Sequence, residues 1–365
     1  MIHLTIPMEG SPQMKTFRYI FSLALFCLLI SLATTPATAQ RQRACCTFTL
    51  PTWQGSFSYQ GGTYPYTMIG SDPALGGTTY TSVEIIPIDL QFVDSNGVLL
   101  SELNINTPMC NNSNTGVSLA LNSPLFQNYP FYAGGTYLGT TQYTDAFQRA
   151  NFNQASGSYH VLLGGVTVQP VQTISISPAN GSVAATAIAD GCTSWGRVDF
   201  NFFDNTARSL VSSLVVPSYV LPIFLVRNIT FTLSGRDYAS GWHGSIGTTA
   251  GSPTYMVASY YDVEIYPNTN FQDTFVLSHE LAEWLDDPYG NNPTPGWIGP
   301  SGCQSNLEVG DPVYQDGFIA PLNAFNYHLT NLAFLSWFAQ QSPSTAVNGW
   351  YTFTNGVFSN PATRC

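Results

Sequence analysis

The sequence feature that most constrains the fold is a helical repeat near residue 280 whose two sides differ chemically. A helix advances about 100° per residue, so residues three or four apart lie on one side of it. One side is polar, because His279 and Glu283 are four residues apart. The opposite side carries apolar residues at the same spacing, namely Leu277, Leu281, Trp284 and Leu285. Such a helix has to bury its apolar side against a core.

Metal binding is the chemistry that the polar side predicts. In the His-Glu-x-x-His helix of zinc proteases, both histidines bind the metal and the glutamate is the general base. His279 and Glu280 occupy the first two positions of that motif, and Glu283 stands at the second histidine position. A carboxylate is also a metal ligand. We therefore expect His279 and Glu283 to bind a metal and Glu280 to act as the base.

The predicted ends of the helix are two acidic positions. Asp273 is the predicted N-cap, and Asp287-Pro288 ends the helix because proline restricts the residue before it. Asp286 lies within about 60° of His279 and Glu283 in helical projection. We expect it on the ligand side.

Further ligands have to come from other segments. Glu308 is the preferred third ligand and Asp311 is an alternative ligand or an outer partner, since both lie in a downstream segment that can fold back over the helix. His243 is a ligand, a group that stabilises an oxyanion, or a structural residue. Zinc is the expected metal. Because the donors are rich in oxygen, manganese, iron and calcium are alternatives.

Two simpler interpretations apply, one to the acidic face of the helix and one to the histidines at 160 and 328. The acidic helix face could be a solvated surface without a ligand. We interpret His160 and His328 as ordinary strand or core residues, because neither has acidic neighbours at ligand spacing.

The N-terminal segment 1–39 predicts export. Basic residues precede the apolar run 19–32, and small residues follow it up to Ala37-Thr38-Ala39, which is typical of a secretory signal. No second segment reaches spanning length, so we expect no membrane span after signal removal. The predicted location is extracellular, periplasmic or at the cell surface.

Cysteine usage is typical of an oxidising compartment. Of the 7 cysteines, Cys27 lies in the predicted signal. We expect the others to form disulfides whose pairing the sequence leaves open. They are Cys45, Cys46, Cys110, Cys192, Cys303 and Cys365.

Charge and aromatic content narrow the range of partners. Only 10 residues are Lys or Arg and the formal net charge is -11, so we expect no nucleic acid partner. Aromatic residues make up 14% of the chain. Their rings could stack on sugars, which makes carbohydrate an alternative partner to a peptide or protein substrate.

The organisation along the chain predicts many strands and few helices. We divide it into a β-rich part over 40–180 with one helix near 140–153, and a metal-site part over 181–365, with one continuous domain as the alternative. A hairpin joins the strand 81–93 to residues 98–100 across an Asp-Ser-Asn-Gly turn. Pro87 predicts an edge or a bulge in that strand. Strands leading into a metal-bearing helix favour an α+β fold.

The stretch from Ser278 to Glu283, followed by Asp287-Pro288, Gly296-Trp297 and the Glu-x-Gly-Asp sequence at 308–311, resembles a group of secreted bacterial proteins with a zincin-like metalloprotease core. The resemblance covers about residues 215–340. A fainter one, over 224–245, is to the plant exordium or phosphate-induced proteins.

The bacterial resemblance implies a fold and a chemistry. It implies a zincin-like α+β fold, in which a mixed or antiparallel sheet packs on the metal-bearing helix, and a metal-dependent hydrolase, most simply a peptidase. Glu283 departs from the histidine of the standard motif. The alternative is therefore a non-catalytic extracellular carbohydrate-binding or cell-surface protein with a degenerate or structural metal site.

Overall fold

The molecular description rests on a computed structural model that covers residues 49–110, 112–153, 157–185, 194–247, 251–263, 265–266, 268–299 and 302–365. The predicted signal segment 1–39 lies outside the described residues. So do four of the cysteines, Cys27, Cys45, Cys46 and Cys192.

Strands dominate the described residues. In the first half of the chain they are β1 (Thr52–Tyr59), β2 (Gly62–Ile69), β3 (Thr78–Val93), β4 (Leu99–Asn104), β5 (Tyr129–Ala133), β6 (Thr136–Thr141), β7 (His160–Val168), β8 (Gln172–Ile176) and β9 (Gly181–Ala185). In the second half they are β10 (Ser194–Asp199), β11 (Val220–Arg227), β12 (Ile229–Leu233), β13 (Arg236–Ala239), β14 (Gly241–Ser245), β15 (Thr254–Tyr260), β16 (Pro293–Gly299), β17 (Gly302–Asn306), β18 (Gly317–Leu322) and β19 (Phe325–Thr330).

The helices of the described residues are short and few. The α-helices are α1 (Gly116–Leu121), α2 (Tyr143–Asn151), α3 (Phe200–Ser213), α4 (Phe275–Asp286) and α5 (Leu335–Phe338). Three single-turn 3₁₀ helices cover Pro73–Leu75, Asp311–Val313 and Val347–Gly349.

The predicted zincin-like α+β fold is wrong, because the structure is mostly β. Among the described residues, 45% are in strands and 18% are in helices. The strands form a seven-stranded sheet, a four-stranded sheet and four two-stranded hairpins. The helix that carries His279 was predicted correctly as an element. Its surroundings were not, because pairing between strands far apart in the chain leaves no local pattern in the sequence.

β3 is the central strand of the large sheet. It pairs with β7, β8, β11 and β4, and β15 and then β14 continue the sheet beyond β11. β11 runs parallel to β3 with Ile223 opposite Ile85, and parallel to β15 with Ile223 opposite Met256. The strands within 78–93, 220–227 and 241–260 thus share one sheet.

The hairpin of β3 and β4 is confirmed, but the edge position of Pro87 is wrong. Pro87 pairs with Leu225 inside the central strand. On β3, pairing with β7 ends at Ile85 and pairing with β8 begins at Ile88. Proline has no backbone N–H to donate. Pro87 lies where β3 changes from one partner strand to the next, so the sheet does not need a hydrogen-bond donor at this position.

The helix α4 packs on the large sheet through its apolar side. All four residues predicted for that side are fully buried. Trp284 is also fixed in orientation, since its indole N–H donates to Thr254 of β15 over 3.0 Å. β14 and β19 pack against the same helix. The helix is therefore covered on several sides.

The predicted end of α4 is confirmed and its predicted start is off by one residue. Asp287 is the C-cap and Thr274 is the N-cap, without a side-chain capping bond. Asp273 instead accepts the backbone N–H of His328 over 2.8 Å and contacts the His328 ring. Asp273 thus ties the start of the helix to β19.

The described cysteines are disulfide-bonded. Cys303 of β17 pairs with Cys365, which is 62 positions further along the chain. Cys110 is disulfide-bonded as well. In the part of the chain that the structure describes, no helix combines the length and apolarity needed to cross a membrane.

Truncation of the α4 core contact tests the packing. Leu281→Ala should lower the free energy of unfolding by about 2–5 kcal/mol, since the buried side chain leaves a cavity. Leu75→Ala is the matched control, because Leu75 is 82% exposed and should change stability by less than about 0.5 kcal/mol. Urea unfolding measures both, and equal effects would contradict the burial of this helix face.

Candidate metal centre

Three segments bring the predicted site residues together. The helix α4 supplies His279, Glu280 and Glu283, and the strand β14 supplies His243. Glu308 follows β17, and Asp311 is the first residue of the next 3₁₀ helix. Each of the four carboxylates has an oxygen within 3.9 Å of a ring nitrogen of His243 or His279. The downstream acids therefore fold back over the helix.

Glu283 joins the helix to the downstream segment. Its Oε1 atom accepts the backbone N–H groups of Gly310 over 3.1 Å and Asp311 over 3.2 Å. The same oxygen lies 3.1 Å from Nε2 of His279. The buried carboxylate thus organises one imidazole and one loop at once.

His243 presents one ring nitrogen to the carboxylates. Its Nε2 atom lies 3.0 Å from the carbonyl oxygen of Asp287, which can only accept, so Nε2 carries the proton. Nδ1 faces Oε2 of Glu280 at 3.5 Å and Oε2 of Glu283 at 3.8 Å. A backbone carbonyl that holds one ring nitrogen and directs the other inward is typical of histidines that bind metals.

Glu308 contains an unsatisfied atom. Its Oε1 atom accepts from the side-chain amide of Asn306 over 2.7 Å, whereas Oε2 is buried and has no hydrogen-bond partner among the described residues. Oε2 lies 3.9 Å from Nε2 of His243. An unpaired buried carboxylate oxygen is costly, and a bound cation would remove that cost.

The possible ligand atoms fall into two sets that share Glu283. One atom each of His243, Glu283 and Glu308 lie within 4.8 Å of one another, and so do those of His279, Glu280 and Glu283. Glu308 therefore belongs with His243 and not, as expected, with His279. Asp311 lies 3.6 Å from Nε2 of His279 and is the more exposed acid.

Electrostatics in this cluster favour a cation. Burial lowers the pKa of His243, but the carboxylates of Glu308, Glu280 and Glu283 outweigh it and raise that pKa to about 10. Burial and repulsion from Glu283 raise the pKa of Glu308 well above its ordinary value, and burial raises the pKa of Glu280. The carboxylates of the cluster thus repel one another, so that Glu308 holds its proton more tightly than an isolated acid does.

Two glycines allow the segments to approach closely. A Cβ atom on Gly310 would lie 2.4 Å from Nδ1 of His279. A Cβ atom on Gly241 would lie 2.7 Å from Val276 and 3.0 Å from Glu280. Neither glycine was predicted as part of the site, although Gly310 lies inside the Glu-x-Gly-Asp stretch.

A cleft opens onto the cluster. Its volume is about 450 Å³, and His279, Glu280 and Asp311 line it. The other lining residues are largely aromatic and include Phe200, Tyr238, Trp242, Phe271 and Tyr314. Trp242 is fixed because its indole N–H donates to Asp204 over 3.0 Å. The cluster is thus accessible to a substrate from one side.

Asp286 does not lie with the ligands, so its predicted place is wrong. It is fully buried and contacts the side chains of Gln148 and Asn151 on α2. In helical projection Asp286 points in nearly the same direction as His279. The two residues are two turns apart, however, which is about 10 Å along the helix axis. Direction alone misled the prediction.

The other two histidines among the described residues have acidic partners that the sequence spacing did not reveal. Nδ1 of His160 lies 2.9 Å from Asp145, and Nδ1 of His328 lies 2.6 Å from Asp273. Both carboxylates are fully buried. Each histidine is thus one half of a pair that ties a strand to a helix or to its start.

Comparison of the chain with protein-family models, with curated proteins and with solved structures gives no match. The resemblance to secreted bacterial metalloprotease-like proteins therefore stays a prediction.

The close approach at Gly310 can be tested by adding one methyl group. Gly310→Ala should lower the free energy of unfolding by about 1–3 kcal/mol, because the new Cβ displaces the His279 ring or the loop. Gly157→Ala is the control, since a Cβ atom there meets nothing within 4 Å. Thermal and urea unfolding compare them, and equal stability of the two variants would refute the contact.

The buried Asp286 should make stability depend on pH. Burial raises its pKa to about 7, and the value in the unfolded chain is about 3.9. The folded state therefore binds the proton of Asp286 more tightly than the unfolded chain does. The resulting contribution to the free energy of unfolding is fully present below about pH 4 and is lost as the pH rises through about 7. The loss should amount to a few kcal/mol.

Urea unfolding across this pH range measures the effect in the wild type and in Asp286→Asn. In Asp286→Asn, the free energy of unfolding should no longer show the part of its pH dependence between about pH 4 and 7 that Asp286 causes. Identical slopes would show that another group carries the dependence.

Proposed function

We propose that this protein is a secreted metal-dependent hydrolase that cleaves peptide bonds. The observation that carries the proposal is the convergence of His243, His279 and several carboxylates around Glu283, beside a cleft that reaches Glu280. The proposal needs no zincin fold, because chemistry of this kind depends on the site and not on the architecture that holds it.

The donor set fits a transition metal. His279 and Glu283, with Asp311 on the cleft side, would hold the cation, and His243 and Glu308 complete the group. Two imidazoles favour zinc, and then manganese or iron, over calcium, which prefers oxygen ligands alone. The buried Oε2 atom of Glu308, which has no hydrogen-bond partner among the described residues, supports a cation within the wider cluster. When bound, such a cation lowers the pKa of a water molecule and polarises a carbonyl group.

Glu280 is placed to move the proton. It lines the cleft next to His279, and its Oε2 atom lies 3.5 Å from His243. Its carboxylate accepts a proton from the attacking water, whose oxygen bonds to the carbonyl carbon. The C–N bond then breaks, and Glu280 passes the proton to the leaving amine. The aromatic cleft wall orients the substrate through apolar contact.

A substitution at Glu280 separates proton transfer from metal binding. Glu280→Gln should keep the bound metal and lower peptidase activity by about 10²–10⁴-fold, because an amide cannot accept the proton. Glu102→Gln is the control, as Glu102 is exposed on β4. Metal content by mass spectrometry and cleavage of a fluorescent peptide library are the measurements. A natively folded protein that takes up no metal would overturn the proposed function.

Carbohydrate binding is a second candidate, and one observation favours it. Tyr129, Tyr132, Phe318 and Trp350 line a groove of about 360 Å³, and Tyr132 is 58% exposed. Exposed aromatic rings of this kind stack on sugar faces. Glycan-array binding that persists after chelation and in Glu280→Gln would favour this function over the hydrolase.

A further inference from the structure

The carboxylate of Glu283 faces two imidazoles with two different oxygens. Oε1 lies 3.1 Å from Nε2 of His279, and Oε2 lies 3.8 Å from Nδ1 of His243. A single cation needs only one of these oxygens. Two oxygens directed at two histidines give the arrangement of a bridging carboxylate between neighbouring metal ions.

The two ligand sets differ in their relation to the cleft. His279 and Asp311 line it, together with Glu280, whereas among the described lining residues neither His243 nor Glu308 occurs. A cation bound on the cleft side by His279 would leave the buried Oε2 atom of Glu308 unpaired. This atom is an independent indication of a second positive charge, away from the cleft.

The balance of charge supports the same conclusion. Four carboxylates gather in the cluster, from Glu280, Glu283, Glu308 and Asp311. With neutral imidazoles as ligands, one divalent cation would leave a buried excess of negative charge, which is unfavourable in a low-dielectric interior. Two divalent cations balance four carboxylates.

We propose that the centre binds two divalent cations bridged by Glu283, one with His279 and Asp311 at the cleft and one with His243 and Glu308 away from it. The inference rests on the metal site of the proposed function and extends it, because the second cation is absent from a single-metal hydrolase. In two-metal sites the ions lie about 3.5–4 Å apart and act on the same substrate.

Titration with Mn²⁺ tests the inference on the full-length protein. The metal-depleted chain should bind two equivalents of Mn²⁺ in equilibrium dialysis. Electron paramagnetic resonance should show exchange coupling between the two ions, which requires a short bridged distance. His243→Asn and Glu308→Gln should each lower the stoichiometry to one equivalent and abolish the coupling.

The control for these variants is His160→Asn. His160 also pairs with a buried carboxylate but lies outside the two ligand sets, so this variant should keep two equivalents. Circular dichroism establishes that each variant is folded. If His243→Asn fails to fold, Glu308→Gln provides the test, since glutamine has nearly the same volume as glutamate.

The outcomes separate this inference from the proposed function. One equivalent in the wild type, unchanged in His243→Asn or Glu308→Gln, would overturn the second cation and leave a single-metal hydrolase intact. Two equivalents without exchange coupling would overturn the bridge. No uptake of Mn²⁺ or Zn²⁺ by the folded protein would overturn both.

Discussion

The site depends on the bonds that the carboxylate of Glu283 makes to the backbone N–H groups of Gly310 and Asp311. These bonds bring a segment from far along the chain onto the helix α4, and they place Asp311 next to His279. They add to the other bonds that hold this segment, such as the one from Ala333 N–H to the carbonyl of Val309. The charge on Glu283 thus serves as a structural contact, and the same carboxylate is a ligand in the proposed metal centre.

The large β-sheet makes this arrangement rigid. α4 lies against β14 and β15, and the apolar side of the helix is buried to completion. β14 carries His243, and the carbonyl of Asp287, just past the end of α4, sets the orientation of that ring. The helix and the strand therefore position each other's functional groups, and the glycines at 241 and 310 remove the side chains that would hold them apart.

Local elements were predictable from the sequence, as was the spatial convergence of the candidate site residues, and the architecture was not. The apolar repeat of α4, its end at Asp287 and the hairpin at 94–98 follow from spacing and turn residues, which are local. The partners of β3 come from residues 160–176 and 220–227, and no local pattern specifies such pairing. The same limit explains why the role of His243 stayed open in the sequence, because its position depends on the register between β14 and β15.

The disulfide between Cys303 and Cys365 closes a covalent loop that contains both Glu308 and Asp311. The loop lowers the conformational freedom of the segment that supplies these acids, so the order of the ligands is linked to the oxidation state of two sulfur atoms. A thiol reductant in a purification or assay buffer would open that loop. Any measurement on the reduced chain would then describe a looser molecule than the disulfide-bonded one.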